Sequence, residues 1–263
     1  MVIDGRKIAE RLVGELKARP KPGKYLAAFL VGENPESGSF LKRKEATARD
    51  LGVDFRTIKI PADETLLRGE IAKAATDPDC GGILLQLPLP ANMGRRELVD
   101  IIPPDKDVDN LTGRAAVLPP AVLALKSIIN DIGFNLASAR VAVVGLGFLV
   151  GGPISRWLKD KCAELHLLDT RNDLEILKEM DLVISGVGQA HLISPAMLKN
   201  GSTVIDFGYD VKNGKIYGDF DDSEIRNSKL ETRNLTYTPT PGGTGPILVA
   251  KLFENFYNLT NNQ

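Results

Sequence analysis

Histidine is almost missing from this chain: His166 and His191 are the only two in 263 residues. His166 falls in an apolar run that reads as a buried strand, and His191 lies near a helix start. Neither is placed as a catalytic base or a metal ligand, and no metal site is expected. Cysteine is as scarce. Cys80 and Cys162 are too few and too isolated for a disulfide framework or a zinc cage, which points to a reducing compartment, the cytoplasm. No sign of charge prevails, because 33 Lys and Arg face 34 Asp and Glu. A net charge of −1, with few aromatic side chains, offers nucleic acid neither a basic stripe nor a stacking surface. No apolar run reaches the roughly 20 residues that a membrane span needs. The opening MVIDGRKIAERL is charged and amphipathic, without the apolar core of a signal peptide.

Glycine, by contrast, is concentrated where it matters. Residues 141–153 read VAVVGLGFLVGGP. Val141 to Val144 form a non-alternating apolar run, the mark of a strand buried on both faces. Gly145, Gly147, Gly151 and Gly152 follow, and then Pro153 at the start of a segment with Ile154, Trp157 and Leu158 on one face. Strand, glycine turn and helix make the arrangement that seats a pyrophosphate at a helix N-terminus. The spacing G-x-G-x-x-x-G is one residue longer than the usual fingerprint, so a glycine turn that binds nothing is the competing reading. Asp169 ends the next apolar run, at the distance where a carboxylate meets adenosine ribose hydroxyls. The competing role for Asp169, or for Thr170, is to cap the following helix. Val150 and Gly186 complete the candidate cofactor set.

Periodicity orders the rest. Helices are predicted over 5–18, 39–51, 64–76 and 95–102, and strands over 25–31, 53–59 and 82–87, with 32–37 as a loop. This alternation predicts a small parallel α/β domain over residues 1–118. Pro119-Pro120 marks a boundary, and 121–132 reads as a bracing helix. A Rossmann-type domain then occupies 119–246, with strands over 141–144, 164–168, 182–186, 203–207 and 235–237 and helices between them. A last helix, within 247–263, is expected to pack back on the first domain.

Six stretches together carry a resemblance: VGENPES with residues 39–44, GGILLQLPLP (81–90), PPDKDVDN (103–110), VVGLGFLVGGP (143–153), VIDFGYD (204–210) and TPTPGGTGPILVAKLFEN (238–255). In that order, across nearly the whole chain, they resemble the bifunctional methylenetetrahydrofolate dehydrogenase/cyclohydrolase family. The resemblance implies two α/β domains flanking a cleft, with tetrahydrofolate derivatives as partners, a nicotinamide cofactor and a homodimer. It also implies oxidation of 5,10-methylenetetrahydrofolate to the methenyl compound and hydrolysis of that to 10-formyltetrahydrofolate. Lys44 matches the family's active-site lysine, Gln86 the glutamine that contacts it, and Asp109 the acid that holds the pterin. Phe40 matches an aromatic substrate-binding position, and Pro241, Gly242 and Gly243 match a segment at the cleft.

The residue chemistry agrees with those roles. Phe40 and Lys44 are four apart and share a helix face, so a ring and an amine address one ligand. A cationic methenyl folate opposes protonation of a nearby lysine and favours the neutral amine, which can act as a base. Asp109 suits the two adjacent donors of a pterin. Taken alone, Lys44 in the run KRK reads equally as a solvated charge. Two departures stand out. The family's aromatic position is normally Tyr and is Phe40 here, which removes a hydroxyl near Lys44. The family's GRS turn is Gly145-Leu146-Gly147, which removes an arginine that pairs with the 2′-phosphate of NADP. With Asp169 this favours NAD over NADP, although Arg171 offers a cation nearby. Two further readings remain: another two-domain NAD-dependent dehydrogenase, or a non-catalytic cofactor-binding protein.

Overall fold

The computed structural model describes residues 1–169, 172–223, 225 and 234–261. The chain divides into two compact units. One comprises Arg11–Pro120 and Val249–Gln263, the other Met1–Glu10 and Ala121–Leu248.

In the first unit the strands β1 (Tyr25–Val31), β2 (Phe55–Ile60) and β3 (Cys80–Leu85) form a parallel sheet in the order β2-β1-β3. After α1 (Gly5–Lys17), the helices α2 (Pro35–Leu51), α3 (Glu64–Thr76) and the short α4 (Arg95–Val99) connect and follow the strands. β1 does not alternate because both of its faces are buried. Ala27 and Phe29 pack with Leu67, Ile71 and Ile83, while Leu26 and Ala28 meet Leu252, Phe253 and Phe256 of the last helix. α2 starts four residues before the predicted position. Asn34 caps it, its side chain accepting from Ser37 N at 3.0 Å, and Pro35 takes the first turn, where its missing N–H costs nothing. Residues 35–37, read as loop, are therefore helical. Gly52, at φ 66°, ends the helix as expected.

The second unit carries α5 (Pro120–Asp131), β4 (Arg140–Val144), α6 (Gly151–Leu158), β5 (Glu164–Leu168), β6 (Leu182–Ser185), β7 (Thr203–Asp206), the hairpin β8 (Asp210–Lys212) and β9 (Lys215–Tyr217), and β10 (Thr236–Tyr237). The last helix, α7 (Thr244–Asn261), starts in this unit and ends in the first. Five parallel strands run in the order β10-β7-β6-β4-β5. β5 lies on one side of β4 and β6 on the other, so the loops after β4 and β6 flank the point where strand order reverses. Open α/β sheets bind their ligands there.

Several expectations change. Residues 1–10, read as part of the first domain, group with the second unit: Ile3 N donates to Tyr237 O at 2.8 Å and Tyr237 N to Met1 O at 3.0 Å, so the N-terminus extends the sheet beside β10. A six-residue 3-10 helix at Leu174–Glu179 and a single 3-10 turn at Pro195–Met197 stand where longer helices were expected. Only 13 residues separate β5 from β6, and burying Leu177 and Met180 there anchors a short turn without a full helix. β5 is an edge strand, so His166 is half-buried, 2.7 Å from Glu164 Oε1, instead of sealed in a core. His191 occupies a turn at φ 62°, four residues before the 3-10 turn at Pro195, with Nδ1 3.2 Å from Asp221 Oδ2. Both cysteines are free, Cys80 buried and Cys162 half-buried. Among the described residues, no helix is long and apolar enough to cross a membrane and no group of His, Cys, Asp and Glu could hold a metal.

Candidate active site

In the first unit, α2 and the end of β3 present the residues that the sequence singled out. Phe40 and Lys44 lie one turn apart on α2, and the Arg43 guanidinium stands 5.5 Å from the Phe40 ring centroid. Gln86 follows β3 directly. Its N–H donates to Phe29 O at 2.9 Å, which continues the ladder and fixes where its side chain emerges. Lys44 Nζ donates to Gln86 Oε1 at 2.9 Å, and Gln86 Nε2 donates to Leu87 O at 2.9 Å. Both ends of the amide are committed, so its oxygen is held toward the lysine.

Asp109 is delivered by the segment after α4, and the KDVD stretch divides its labour. Lys106 Nζ donates to the carbonyls of Ala74, Ala75 and Asp77 at 3.1, 2.8 and 2.6 Å, closing the C-terminus of α3. Asp107 is fully buried and accepts from Leu111 N, Thr112 N and Thr112 Oγ1 at 2.8–2.9 Å. Val108 is core, and Asn255 of α7 donates from one Nδ2 to Val108 O at 2.8 Å and to Leu118 O at 2.9 Å. Asp109 thus hangs from a loop clamped at both ends. The sequence reading missed Lys106, Asp107 and Asn255. The first two lay in view within the charged stretch PPDKDVDN, with nothing local to tell them from Asp109; Asn255 carried no signal beyond a polar residue on an apolar helix.

Lys44 and Asp109 sit in each other's field. Burial pushes the Lys44 amine below its ordinary range, and Asp109 opposes that shift. Burial likewise raises the Asp109 carboxyl to about 6, with Lys44 pulling it back and Asp107 adding to the rise. Each side chain keeps part of its surface open to solvent, so a ligand can reach both. An amine whose charged form burial disfavours, a fixed amide and a carboxylate suited to paired donors can together bind a heterocycle and move a proton.

The second unit holds the glycine turn. Gly145 takes φ 84°, and its N–H donates to Leu168 O at 2.8 Å, tying β4 to the end of β5. A Cβ on Gly151 would lie 1.7 Å from Gly145 O, so the turn closes only with glycine there. Gly147 is exposed, Val150 precedes α6, and no side chain caps that helix. Gly152 N donates to Gly147 O at 2.9 Å, Pro153 has no N–H and Ile154 N donates to Val150 O at 3.0 Å, so a phosphate would meet Gly151 N and the exposed glycine turn, not a row of free donors. The residues present therefore fit a dinucleotide. Gly186, after β6, packs against Val150, where a Cβ would come within 2.7 Å of Val150 Cγ1. Asp169 follows β5, its N–H bonded to Asn172 Oδ1 at 2.6 Å. The next turn is capped by Asp173, whose Oδ1 accepts from Glu175 N at 3.0 Å, so capping does not fall to Asp169. Thr170 and Arg171 lie outside the described residues. Pro241, Gly242 and Gly243 belong to this unit. Gly242 takes φ 105°, and the chain passes so close to α1 that a Cβ on Gly5 would lie 1.7 Å from Gly243 O. Two buried acids that the sequence reading left without a role, Asp206 and Asp219, also lie here.

Comparison with known proteins covers both units. Residues 3–109 match the family described as tetrahydrofolate dehydrogenase/cyclohydrolase, catalytic domain, and residues 119–263 match its NAD(P)-binding domain. The chain is 32% identical to a protein of Methanospirillum hungatei named Bifunctional protein FolD, over 100% of this chain and 98% of that one. It is 30% identical to the protein of the same name from Lactobacillus gasseri, over 98% and 95%. Among solved structures, the Trypanosoma brucei methylenetetrahydrofolate dehydrogenase-cyclohydrolase, complexed with NADP cofactor and inhibitor, is similar with a TM-score of 0.90 and 25% identity, over 100% of this chain and 97% of that one.

Proposed function

The chain belongs to the tetrahydrofolate dehydrogenase/cyclohydrolase family, and from that premise we propose that Lys44, Gln86 and Asp109 carry its chemistry. It oxidises 5,10-methylenetetrahydrofolate to 5,10-methenyltetrahydrofolate with a nicotinamide cofactor and hydrolyses the product to 10-formyltetrahydrofolate. When bound, the nicotinamide supplies the hydride acceptor. Everything else falls to the protein.

The observation that carries this reading is the 2.9 Å bond from Lys44 Nζ to Gln86 Oε1, beside Asp109. A neutral amine that spends one N–H on Gln86 has its lone pair directed elsewhere, toward a water approaching the methenyl carbon. The cationic substrate lowers the lysine's proton affinity in the same sense as burial does. Lys44 therefore takes the proton of the attacking water and holds it for ring opening. Asp109 accepts from the pterin 2-amino group and its neighbouring ring N–H. Its carboxyl, raised by burial to about 6, still favours the ionised form at pH 7. Phe40 offers a ring face to the aminobenzoate. It lacks a hydroxyl, and Lys44 already has Gln86 as its partner, so hydrolysis persists without one. The family resemblance assigns Pro241, Gly242 and Gly243 to the substrate as well.

Gly145, Gly147, Val150, Gly151, Asp169, Thr170 and Gly186 hold the cofactor, with NAD preferred to NADP. The protein is inferred to act as a homodimer in the cytoplasm, in keeping with its two free thiols. A paired assay tests the reading: methylenetetrahydrofolate with NAD and with NADP, followed by the absorbance of reduced cofactor, then disappearance of the methenyl product. Cofactor binding without turnover of either folate would overturn it in favour of a non-catalytic binder.

A further inference from the structure

The segment after β10 is one that a β-ladder cannot hold. Thr238 N still donates to Val204 O at 3.1 Å, but Pro239 and Pro241 have no N–H to give, and Gly242 and Gly243 have no side chain. From 238 to 244 the sequence reads TPTPGGT, so three threonine hydroxyls are its only side-chain hydrogen-bonding groups. All three reach the same residue. Asp206 N donates to Thr238 Oγ1 at 2.8 Å, Thr244 Oγ1 donates to Asp206 O at 2.8 Å, and Thr240 Oγ1 donates to Asp206 Oδ2 at 3.5 Å. The two ends of the segment and its middle are thereby pinned to the last residue of β7.

Asp206 is itself locked. It is buried, with Oδ1 accepting from Gly208 N at 2.6 Å and Oδ2 from Phe220 N at 3.0 Å. A Cβ on Gly218 would lie 2.0 Å from Asp206 Oδ2 and 2.7 Å from Thr240 Oγ1, so only glycine there lets carboxylate and hydroxyl meet. A Cβ on Gly208 would lie 2.2 Å from the Asp219 carboxyl. Residues 206–208 and 218–220 thus interlock, each glycine making room for the other stretch's acid. Asp219 is committed to Val187 N, Gly188 N and Gln189 N at 2.8–2.9 Å, which leaves Asp206 to the threonines. Burial beside Asp219 pushes the Asp206 carboxyl up to about 7, a cost that an uncharged core side chain would not incur.

The segment held in this way is closed at its ends and open at its tip. Thr238 and Thr244 are buried, whereas Pro241 is exposed and Gly242 is half-buried at φ 105°. A tip fixed from both sides presents its backbone to a ligand without having to be ordered by it, and that saving appears as affinity.

We propose that Asp206 is a positioning residue for the folate: through the hydroxyls of Thr238, Thr240 and Thr244 it fixes the shape in which Pro241, Gly242 and Gly243 meet the substrate. This rests on the assignment of that segment to the substrate, and the test separates the two. KM and kcat for methylenetetrahydrofolate, the dissociation constant of NADH and the urea midpoint are measured on the full chain. Thr238→Val and Thr244→Val keep the side-chain shape and remove one bond each. Each raises KM about fivefold, while kcat and NADH affinity stay within about twofold. Thr238→Ser and Thr244→Ser keep the hydroxyl and restore the parent KM. Asp206→Asn sets an NH2 against backbone donors and raises KM about tenfold; the threonine variants carry the test if it does not fold. Gly242→Ala distorts the tip itself and raises KM as well. If it does so while the folded threonine variants keep the parent KM, the proposal falls alone. It falls likewise if folate and NADH weaken equally, or if the serine variants are as impaired as the valine ones. If a folded Gly242→Ala also keeps the parent KM, the segment does not meet the substrate and both readings fall together.

Discussion

Lys44 Nζ and Gln86 Oε1 meet at 2.9 Å across 42 residues of sequence, one on a helix and the other just past a strand end. The amide oxygen faces the amine because its own NH2 is tied to Leu87 O, so the pair is set before substrate arrives. Lys44→Met keeps length and removes the amine. Hydrolysis of the methenyl compound is expected to fall by about 100-fold or more, with the urea midpoint little changed. Gln86→Glu is the sharper variant. A carboxylate beside the amine favours its charged form, so the pH at which hydrolysis rises moves upward and the rate at pH 7 drops. A pH–rate profile that coincides with the parent's would remove Lys44 from the role of base.

Burial gives Asp109 a cost in stability. Its carboxyl is raised from 3.8 to about 6 by burial, so the folded chain holds that proton more tightly than the unfolded chain does. From about pH 4 to about pH 6 the folded state binds more protons, and stability falls as pH rises through that window. Asp109→Asn removes the penalty. Above pH 6 the variant should be more stable than the parent by roughly 1–3 kcal/mol, and the gap should close below pH 4. The same variant presents an NH2 to the pterin donors, so KM for the folate rises about tenfold or more while NADH affinity moves less than about twofold. Urea unfolding across pH, paired with the two affinities, checks both halves. Equal effects on folate and cofactor would count against the assignment.

How much of this was legible beforehand depends on the reach of each interaction. The strand runs 25–31 and 141–144 were plain, because burial on both faces leaves an unbroken apolar stretch. The pairing of Phe40 with Lys44 was visible as helical spacing. The start of α2 was misplaced although Asn34-Pro35 spells a capped helix, because NPES also reads as a loop. Asp206 and Asp219 each stood near a lone glycine, and nothing local shows that each acid's carboxylate fills the space that the other's glycine leaves. Asn255 was more distant still: its two bonds reach Val108 and Leu118 from 137 or more residues away, and sequence periodicity has no term for that.

Asn255 supplies a prediction about the loop that bears Asp109. Asn255 is buried, and its Nδ2 bridges the buried Val108 O and the part-buried Leu118 O. Asn255→Leu keeps the branched shape but leaves Val108 O without its buried donor, which should cost about 1–3 kcal/mol. With its clamp released, the loop should hold Asp109 less firmly, raising KM for the folate more than it lowers kcat. Urea unfolding and steady-state kinetics on the same preparation would show it. A stable variant with unaltered KM would mean that Asp107 alone holds the loop.

Cofactor choice turns on what meets the adenosine ribose. A 2′-phosphate carries close to two negative charges, and Asp169 stands at the end of β5, the strand whose end faces that ribose in such sheets. At about 4 Å and an effective dielectric near 20, each unit of like charge repels by roughly 4 kcal/mol before relaxation and salt. Even a quarter of that is several-fold in affinity. Leu146, 45% exposed in the glycine turn, offers no cation to offset it, and the competing role for Asp169 as a helix cap has passed to Asp173. Arg171, the one cation close by in sequence, lies outside the described residues. The expected outcome is a several-fold higher kcat/KM with NAD than with NADP. Asp169→Ser should narrow the difference, and adding Leu146→Arg should reverse it. A preference for NADP that Asp169→Ser leaves unchanged would place the phosphate on Arg171 and end the argument from Asp169.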